Sequence, residues 1–218
     1  MSGEYRRKAL HLVSLSIPIV YYYITRSLAI GILIPLTAFS IFIDIGRHYI
    51  PAIGILVTKL FDPILREHER GGKRMLLSGA TWVFISALLC VLVFPKIITV
   101  TAFAILIVSD ASSALIGRAY GKHKFLDKSL EGSIAFVISA WCVVLASPKI
   151  GYLPAEYFIG VIAAVIGGIV EAASVRLRLD DNLSVPASIG IVMWAFYYCL
   201  TLIDPSRYDS IYAALLKI

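Results

Sequence analysis

The sequence predicts an all-α, polytopic integral membrane protein of about seven transmembrane helices, folded as one domain over residues 1–218. Three observations carry that prediction: composition, the run lengths of apolar residues and the placement of the cations. Hydrophobic residues make up 59% of the 218 and charged residues 16%, against about 45–50% and about 25% in soluble domains. A soluble globule of this size lacks the interior to hide so much apolar surface, and the same richness excludes disorder. Seven runs approach or reach the roughly 20 helical residues that cross a hydrocarbon core. They are continuous rather than alternating, which argues against a transmembrane barrel. The three cysteines, Cys90, Cys142 and Cys199, each sit inside an apolar run. Their odd number and setting fit small hydrophobes rather than a disulfide framework.

The runs lie at 9–24, 28–43, 76–94, 97–116, 131–147, 156–175 and 185–203. The first lacks a small-residue cleavage site and six more follow it, so it reads as a span rather than a signal peptide. Seven crossings leave the N-terminus and three loops on one side, where fifteen of the twenty Lys and Arg fall. The other side holds Arg26, Lys96, Lys149, Arg207 and Lys217. Cytoplasmic loops carry the cationic excess, so a multi-pass cell-membrane protein with a cytoplasmic N-terminus and an external C-terminus is expected. Tyr21, Tyr22, Tyr23, Tyr197 and Tyr198 fall at the outer ends of their spans, where interfacial rings belong. In residues 48–66, Ile50, Ile53, Val57, Leu60, Phe61 and Ile64 share one helical face, while Lys59, Asp62 and Arg66 lie elsewhere. That pattern, limited by Pro51 and Pro63, predicts an amphipathic helix on the inner surface. Tyr208, Ile211, Tyr212, Leu215 and Ile218 have similar spacing and predict a short surface helix outside. The net charge of +6 thus speaks of topology and of anionic headgroups or an anionic substrate; no nucleic-acid binding is expected. No internal repeat divides the chain.

Chemistry is concentrated where acids enter the spans. Asp110 lies about two turns from the inner end of its helix and Glu171 about one turn from the inner end of its own. Ionisable groups at such depth are costly and mark function or a specific partner. Below Asp110, Ala114 and Gly117 recur at helical spacing, as close helix packing requires. Gly117 and Gly121 bracket a turn whose backbone N–H groups can approach a phosphate. Lys128-Ser129-Leu130-Glu131-Gly132-Ser133 then opens the next span, and a helix N-terminus with a Ser and a Lys beside it suits an anion. An Asp and a Glu on facing helix ends can hold Mg²⁺. Asp181 and Asn182 offer further oxygen ligands, the alternative being an Asx turn or helix cap before the last span. Glu4, Lys8 and His11 share a helical face at the start of the first span, with Arg7 one turn from His11. No Walker pattern, dinucleotide motif or zinc spacing occurs.

These blocks together resemble the CTP-dependent lipid kinases: dolichol (polyprenol) kinase, phytol kinase and the diacylglycerol kinase that uses CTP. The residues concerned are Glu4-Tyr5-Arg6-Arg7-Lys8-Ala9-Leu10-His11, Ser109-Asp110-Ala111 with Gly117 and Gly121, Lys128 to Ser133, Glu171, and Asp181-Asn182-Leu183-Ser184-Val185-Pro186. They run in the family's order and cover nearly the whole chain; the K-S-x-E-G-S block is the more specific. Phosphatidate cytidylyltransferase is similar around the Asp and the Gly pair. Its S-P-K-K-[ST]-x-E-G block is replaced here by Asp127-Lys128-Ser129, and its K-R-x-x-K-D block lacks the Lys-Arg pair beside Asp180-Asp181-Asn182. The resemblance implies phosphoryl transfer from CTP to a lipid alcohol in the bilayer, with Mg²⁺. Asp110, Lys128 and Glu131 are then the catalytic candidates. Gly117, Gly121, Lys122, Lys128, Ser129, Gly132 and Asn182 would meet the nucleotide, and Arg7, Lys8 and His11 would close over it. Asp110, Glu131, Asp181 and Glu171 are the metal candidates. A CDP-lipid-forming cytidylyltransferase is the rival enzyme, and an ion-coupled transporter using Asp110 and Glu171 the rival of another class.

Overall fold

The computed structural model of the chain describes residues 8, 9, 11–61 and 77–215. It is a helical bundle: α1 (Ser16–Tyr23), α2 (Arg26–Tyr49), α3 (Pro51–Phe61), α4 (Gly79–Val93), α5 (Lys96–Tyr120), α6 (Leu130–Ala146), α7 (Pro154–Ala172), α8 (Ser174–Leu177), α9 (Asp181–Ile203) and α10 (Asp209–Leu215). Strands β1 (Lys124–Phe125) and β2 (Lys128–Ser129) form a two-stranded antiparallel hairpin between α5 and α6. Among the described residues, α2, α5, α7 and α9 are long and apolar enough to cross a membrane; α4 and α6 are shorter apolar helices. The first run is broken by a turn at residues 14–15, leaving eight residues in α1. Within the stretch 48–66, read as an amphipathic surface helix, residues Pro51–Phe61 form the helix α3; residues 62–66 lie outside the described residues.

Short polar side chains start these helices by accepting the N–H groups that the first turn leaves unpaired. Thr25 accepts from Leu28 N–H (3.3 Å) before α2, and Ser78 from Thr81 N–H (3.4 Å) before α4. Ser129 accepts from Gly132 N–H (3.2 Å) before α6, and Asp180 from Asn182 N–H (3.0 Å) before α9. Pro154 opens α7, where its missing N–H costs nothing.

The core forms around α5. Of its most apolar stretch 72% is buried, against 22% for α2, so α5 is the central staff and α2 a peripheral helix. Phe103, Ile105 and Leu106 of α5 pack with Phe136 and Ala140 of α6, Ala163 and Ala164 of α7, and Ile189, Met193 and Tyr197 of α9. Exposed Leu28, Ile32, Phe39 and Phe42 on α2 have no use in water and suit lipid.

At the end of the bundle formed by the α1–α2, α4–α5 and α6–α7 turns, three cations close helix C-termini. Arg26 donates to the carbonyls of Val91 (2.9 Å) and Leu92 at the end of α4. Lys96 donates to Ile24 O (2.6 Å) after α1, and Lys149 to Val144 O (2.5 Å) and Ser147 O (2.7 Å) after α6. Cations are favoured at such carbonyl ends. At the same end the aromatic expectation is corrected in part. Tyr23 and Tyr198 are exposed, but Tyr21 is 3% and Tyr197 0% exposed; these two rings are core residues. Two further buried acids escaped the sequence reading. Glu156 accepts from the N–H groups of Ile150, Gly151 and Leu153 at 2.8–3.0 Å. Asp44, on α2, accepts from Ser78 N–H (2.7 Å) and Thr81 hydroxyl (2.6 Å), fixing the start of α4.

Candidate functional site

The other end of the bundle gathers charge from five separated stretches of chain. Asp110 lies on α5, 6% exposed. Its Oδ2 accepts from Lys8 Nζ at 2.5 Å, and His11 Nε2 stands 3.4 Å away. One helical turn on, Ser113 hydroxyl donates to Glu171 Oε1 at the end of α7 (3.1 Å). Glu171, 1% exposed, is ion-paired to Lys128, whose Nζ is also 3.6 Å from Asp181 Oδ2 at the start of α9. The second Glu171 oxygen is buried without a hydrogen-bond partner, an arrangement costly to retain in a low-dielectric interior. Lys8, His11, Asp110, Lys128, Glu171 and Asp181, all candidates from sequence, are thus brought together. Arg7 lies outside the described residues.

The hairpin delivers Lys128. Asp127 N–H donates to Ala172 O (3.0 Å), and the Asp127 carboxylate accepts from Arg176 N–H and Nε, both at 3.0 Å. These bonds tie the tip to the end of α7 and place the adjacent Lys128 against Glu171. The tip itself is Leu126 at φ 53°, a left-handed conformation that a two-residue hairpin needs and that glycine or asparagine adopts more readily. Asp127 was legible in sequence only as a departure from the cytidylyltransferase block; its anchoring role comes from the fold. Burial disfavours the Lys128 ammonium, but Glu171, then Asp181 and Asp110, outweigh it and hold its pKa above the usual 10.5.

Several candidates occupy other positions. Glu131 faces the hairpin, not the cluster: it accepts from the N–H groups of Lys122 (3.1 Å) and His123 (3.2 Å) and pairs with His123 Nδ1 at 2.7 Å. Lys122 enters through that backbone bond while its residue is exposed. Gly117, Gly121 and Gly132 sit where α5 meets α6. A methyl group on Gly117 would lie 2.7 Å from Ser129 Oγ, and one on Gly132 3.0 Å from Ser113 O. Their contacts are those of a tight helix crossing, and the N–H of Gly121 is used by Gly117 O (3.0 Å). Ser129 spends its hydroxyl on the α6 cap. Asn182 donates its amide to Asp180 Oδ1 (2.8 Å), so it stiffens the α9 cap that presents Asp181.

Carboxylate oxygens from Asp110, Glu171 and Asp181 are the hard donors Mg²⁺ prefers. Among the described residues no three His, Cys, Asp or Glu side chains converge as a ready-made metal cage; lysines lie between the acids instead. Mg²⁺ held through one or two carboxylates and a substrate's phosphates needs no such cage, so the donor set fits that mode.

In comparison with known proteins, the chain is 32% identical over 198 residues to Uncharacterized protein RP860 of Rickettsia prowazekii (strain Madrid E), covering 90% of this chain and 96% of that one. It is 31% identical over 150 residues to Uncharacterized protein MJ1137 of Methanocaldococcus jannaschii, covering 67% and 69%. No family model matches the chain. No solved structure matches it either.

Proposed function

The chain belongs to the family of the Rickettsia and Methanocaldococcus proteins RP860 and MJ1137, and we propose that it transfers the γ-phosphoryl group of CTP to a lipid alcohol in the membrane. The observation that carries this reading is the convergence of Lys8, His11, Asp110, Lys128, Glu171 and Asp181 at one end of an apolar bundle. Phosphoryl transfer asks for little covalent help: it needs the hydroxyl aligned with the γ-phosphorus and the charge neutralised. Lys128, released from Glu171, contributes the phosphate-facing cation, while Lys8 adds a second cation and His11 a ring nitrogen from the segment before α1. Asp110, freed in part from Lys8, orients the acceptor hydroxyl and takes its proton as the new O–P bond forms and CDP leaves. Asp110, Glu171 and Asp181 are the residues that would hold Mg²⁺, which supplies charge neutralisation at the transferring group. The preference for CTP rests on the family resemblance of the sequence blocks.

The accompanying topology is seven crossings, the first made by the whole run 9–24, of which α1 is the second part, and the second by α2, with the charge cluster at the cytoplasmic face of the cell membrane. Two facts support it. The fifteen-to-five bias of Lys and Arg favours that side, and Arg26, Lys96 and Lys149 on the opposite side are engaged as helix caps. The deciding experiment incubates purified protein with Mg²⁺, γ-labelled CTP and polyprenol, phytol, geranylgeraniol or diacylglycerol. Labelled lipid with CDP as co-product is expected. Label entering lipid from α-labelled CTP, with pyrophosphate released, would establish the cytidylyltransferase instead. Absence of any nucleotide-dependent product would refute both.

A further inference from the structure

Phosphoryl transfer as proposed above requires Lys128 to leave Glu171, and Glu171 is 1% exposed, so part of the chain has to move before a solute reaches it. The β1–β2 hairpin is the part that covers it. Its ladder has two residue pairs, Lys124–Ser129 and Phe125–Lys128, and so small a hairpin does not hold itself together in water. Two carboxylates hold it instead, at opposite ends. At the base, Glu131 accepts from the N–H groups of Lys122 and His123 and pairs with His123 Nδ1, and Leu130 N–H donates to His123 O (2.8 Å). These bonds join the base to the first turn of α6, which follows directly in the chain. At the tip, the Asp127 carboxylate accepts from Arg176 N–H and Nε, and Asp127 N–H donates to Ala172 O, all at 3.0 Å. Asp127 and Arg176 are 49 residues apart, so these bonds tie the tip to α7 and α8, beside the Lys128–Glu171 pair. The Arg176 side chain is 59% exposed and that of Asp127 17%, which lets water compete for the tip. Leu126 between them, at φ 53°, is in a conformation that persists only while its surroundings impose it.

We infer that the hairpin is a lid hinged at Glu131 and latched at its tip by Arg176, a positioning residue that acts on Lys128 through Asp127. Closed, the latch seats Lys128 on Glu171. Open, it carries Lys128 outward and uncovers the Glu171 carboxylate, whose second oxygen is buried without a hydrogen-bond partner among the described residues. The lid rests on geometry alone; its use, to admit the phosphates and divalent cation of a nucleotide, rests on the kinase reading above. An exposed ion pair shifts an equilibrium by about fivefold at most, so the Arg176 latch is light enough to yield to a competing anion. It also gives Glu131 a different task from metal binding, that of holding the hinge.

Backbone hydrogen exchange reports local opening directly. In the full chain in detergent, mass spectrometry with electron-transfer fragmentation compares the tip amide of residue 127 with the base amides of residues 122 and 123. In Arg176→Gln the tip amide should exchange faster, by up to about fivefold, while the base amides keep the wild-type rate. Arg176→Lys restores the cation and should return the tip to near the wild-type rate. Asp127→Ala also removes the acceptor of Arg176 N–H, so it should speed the tip on the order of tenfold or more. Arg176→Gln added to Asp127→Ala should change nothing further, since both act on one latch. A tip that exchanges at the wild-type rate in Arg176→Gln and Asp127→Ala would overturn the latch. Equal acceleration of tip and base would overturn the hinge, and an Arg176→Lys tip as fast as that of Arg176→Gln would remove the role of the cation. Exchange is read without nucleotide, so the two readings fail separately. A tip that opens in a protein forming no labelled lipid keeps the lid and removes the kinase reading, while labelled lipid from a protein whose tip ignores Arg176 does the reverse.

Discussion

Replacing Lys128 by Met keeps the aliphatic stem and deletes the cation on which the cluster's charge balance turns. Its ammonium pairs with Glu171, whose side chain is 1% exposed, and stands 3.6 Å from Asp181. Removing one partner of a buried ion pair costs about 3–5 kcal/mol, because the other charge is left uncompensated. Lys128 is 29% exposed, so water screens its side of the pair and the lower end, about 3 kcal/mol, applies. At about 2–4 °C per kcal/mol for a chain of this length, melting should fall by roughly 6–12 °C. Glu171→Gln added to Lys128→Met removes the stranded charge and should recover most of the loss, with coupling on the order of 2 kcal/mol. The assay is thermal melting of the four proteins in detergent, followed by the fluorescence of the three tryptophans. Mg²⁺ then separates architecture from chemistry. With Lys128 gone, Glu171 and Asp181 can accept a divalent cation, so Mg²⁺ should stabilise Lys128→Met more than wild type, by about 2.7 kcal/mol at a hundredfold excess over the dissociation constant. A Lys128→Met protein that melts like wild type would refute the pairing argument. Equal Mg²⁺ effects in the two proteins would strike Glu171 and Asp181 from the metal candidates.

Asp110→Asn keeps the volume and should fold, yet lower turnover with CTP on the order of 10²-fold or more, as loss of a single preorganised electrostatic group does elsewhere; near-normal kcat would remove Asp110 from the catalytic set. Gly117→Ala should destabilise by about 1–3 kcal/mol, because its methyl group meets Ser129 Oγ at 2.7 Å and the α5–α6 crossing must open; unchanged melting would show that the crossing yields freely. The raised pKa of Lys128 means that its stabilisation is fully present below pH about 10.5 and is lost as pH rises through the folded value. The melting gap between wild type and Lys128→Met should therefore be flat from neutral pH to about 10 and shrink above it; a gap that closes below pH 9 would contradict this. Cysteines introduced singly at residues 122 and 179 should react with membrane-impermeant reagent from the cytosolic side and one at 151 from the other, and labelling of 122 and 179 from opposite faces would break the seven-crossing reading.

The parts of the molecule governed by apolar run length were readable from sequence, because a helix in lipid must satisfy its own backbone. The run at 97–116 became α5 with one residue added at its start and four at its end, and the run at 185–203 became α9 with four added at its start; Pro95 and the Asp180 cap set the starts. The acids inside spans were also readable, since a carboxylate among isoleucines stands out in any window. Asp44 and Glu156 did not stand out because each lies at the margin of its run, and only the fold turns them inward onto backbone N–H groups. Pattern could not separate the two uses of a glycine. Gly117 and Gly121 allow close approach, but the guest is Ser129, the end of β2 and the cap of α6, which arrives through a hairpin that composition does not announce. Glu131 and Lys128 are three residues apart in the chain and yet serve different neighbours. The passage from strand to helix at 129–130 sends one toward His123 and the other toward Glu171, and such divergence is decided by tertiary contacts alone.

The caps made by Arg26 and Lys96 carry a mechanical consequence. Arg26 reaches from the α1–α2 turn to the last carbonyls of α4, while Lys96 reaches back from the α4–α5 turn to Ile24. Two helical hairpins are therefore clasped reciprocally at one pole, each turn holding the other's open carbonyls. At the opposite pole the segment before α1 meets α5 through the Lys8–Asp110 ion pair, and α2 meets α4 through Asp44, which accepts from Ser78 N–H and the Thr81 hydroxyl. Sliding one hairpin along the other would break both caps at once, so the two turns hold α1–α2 and α4–α5 in register.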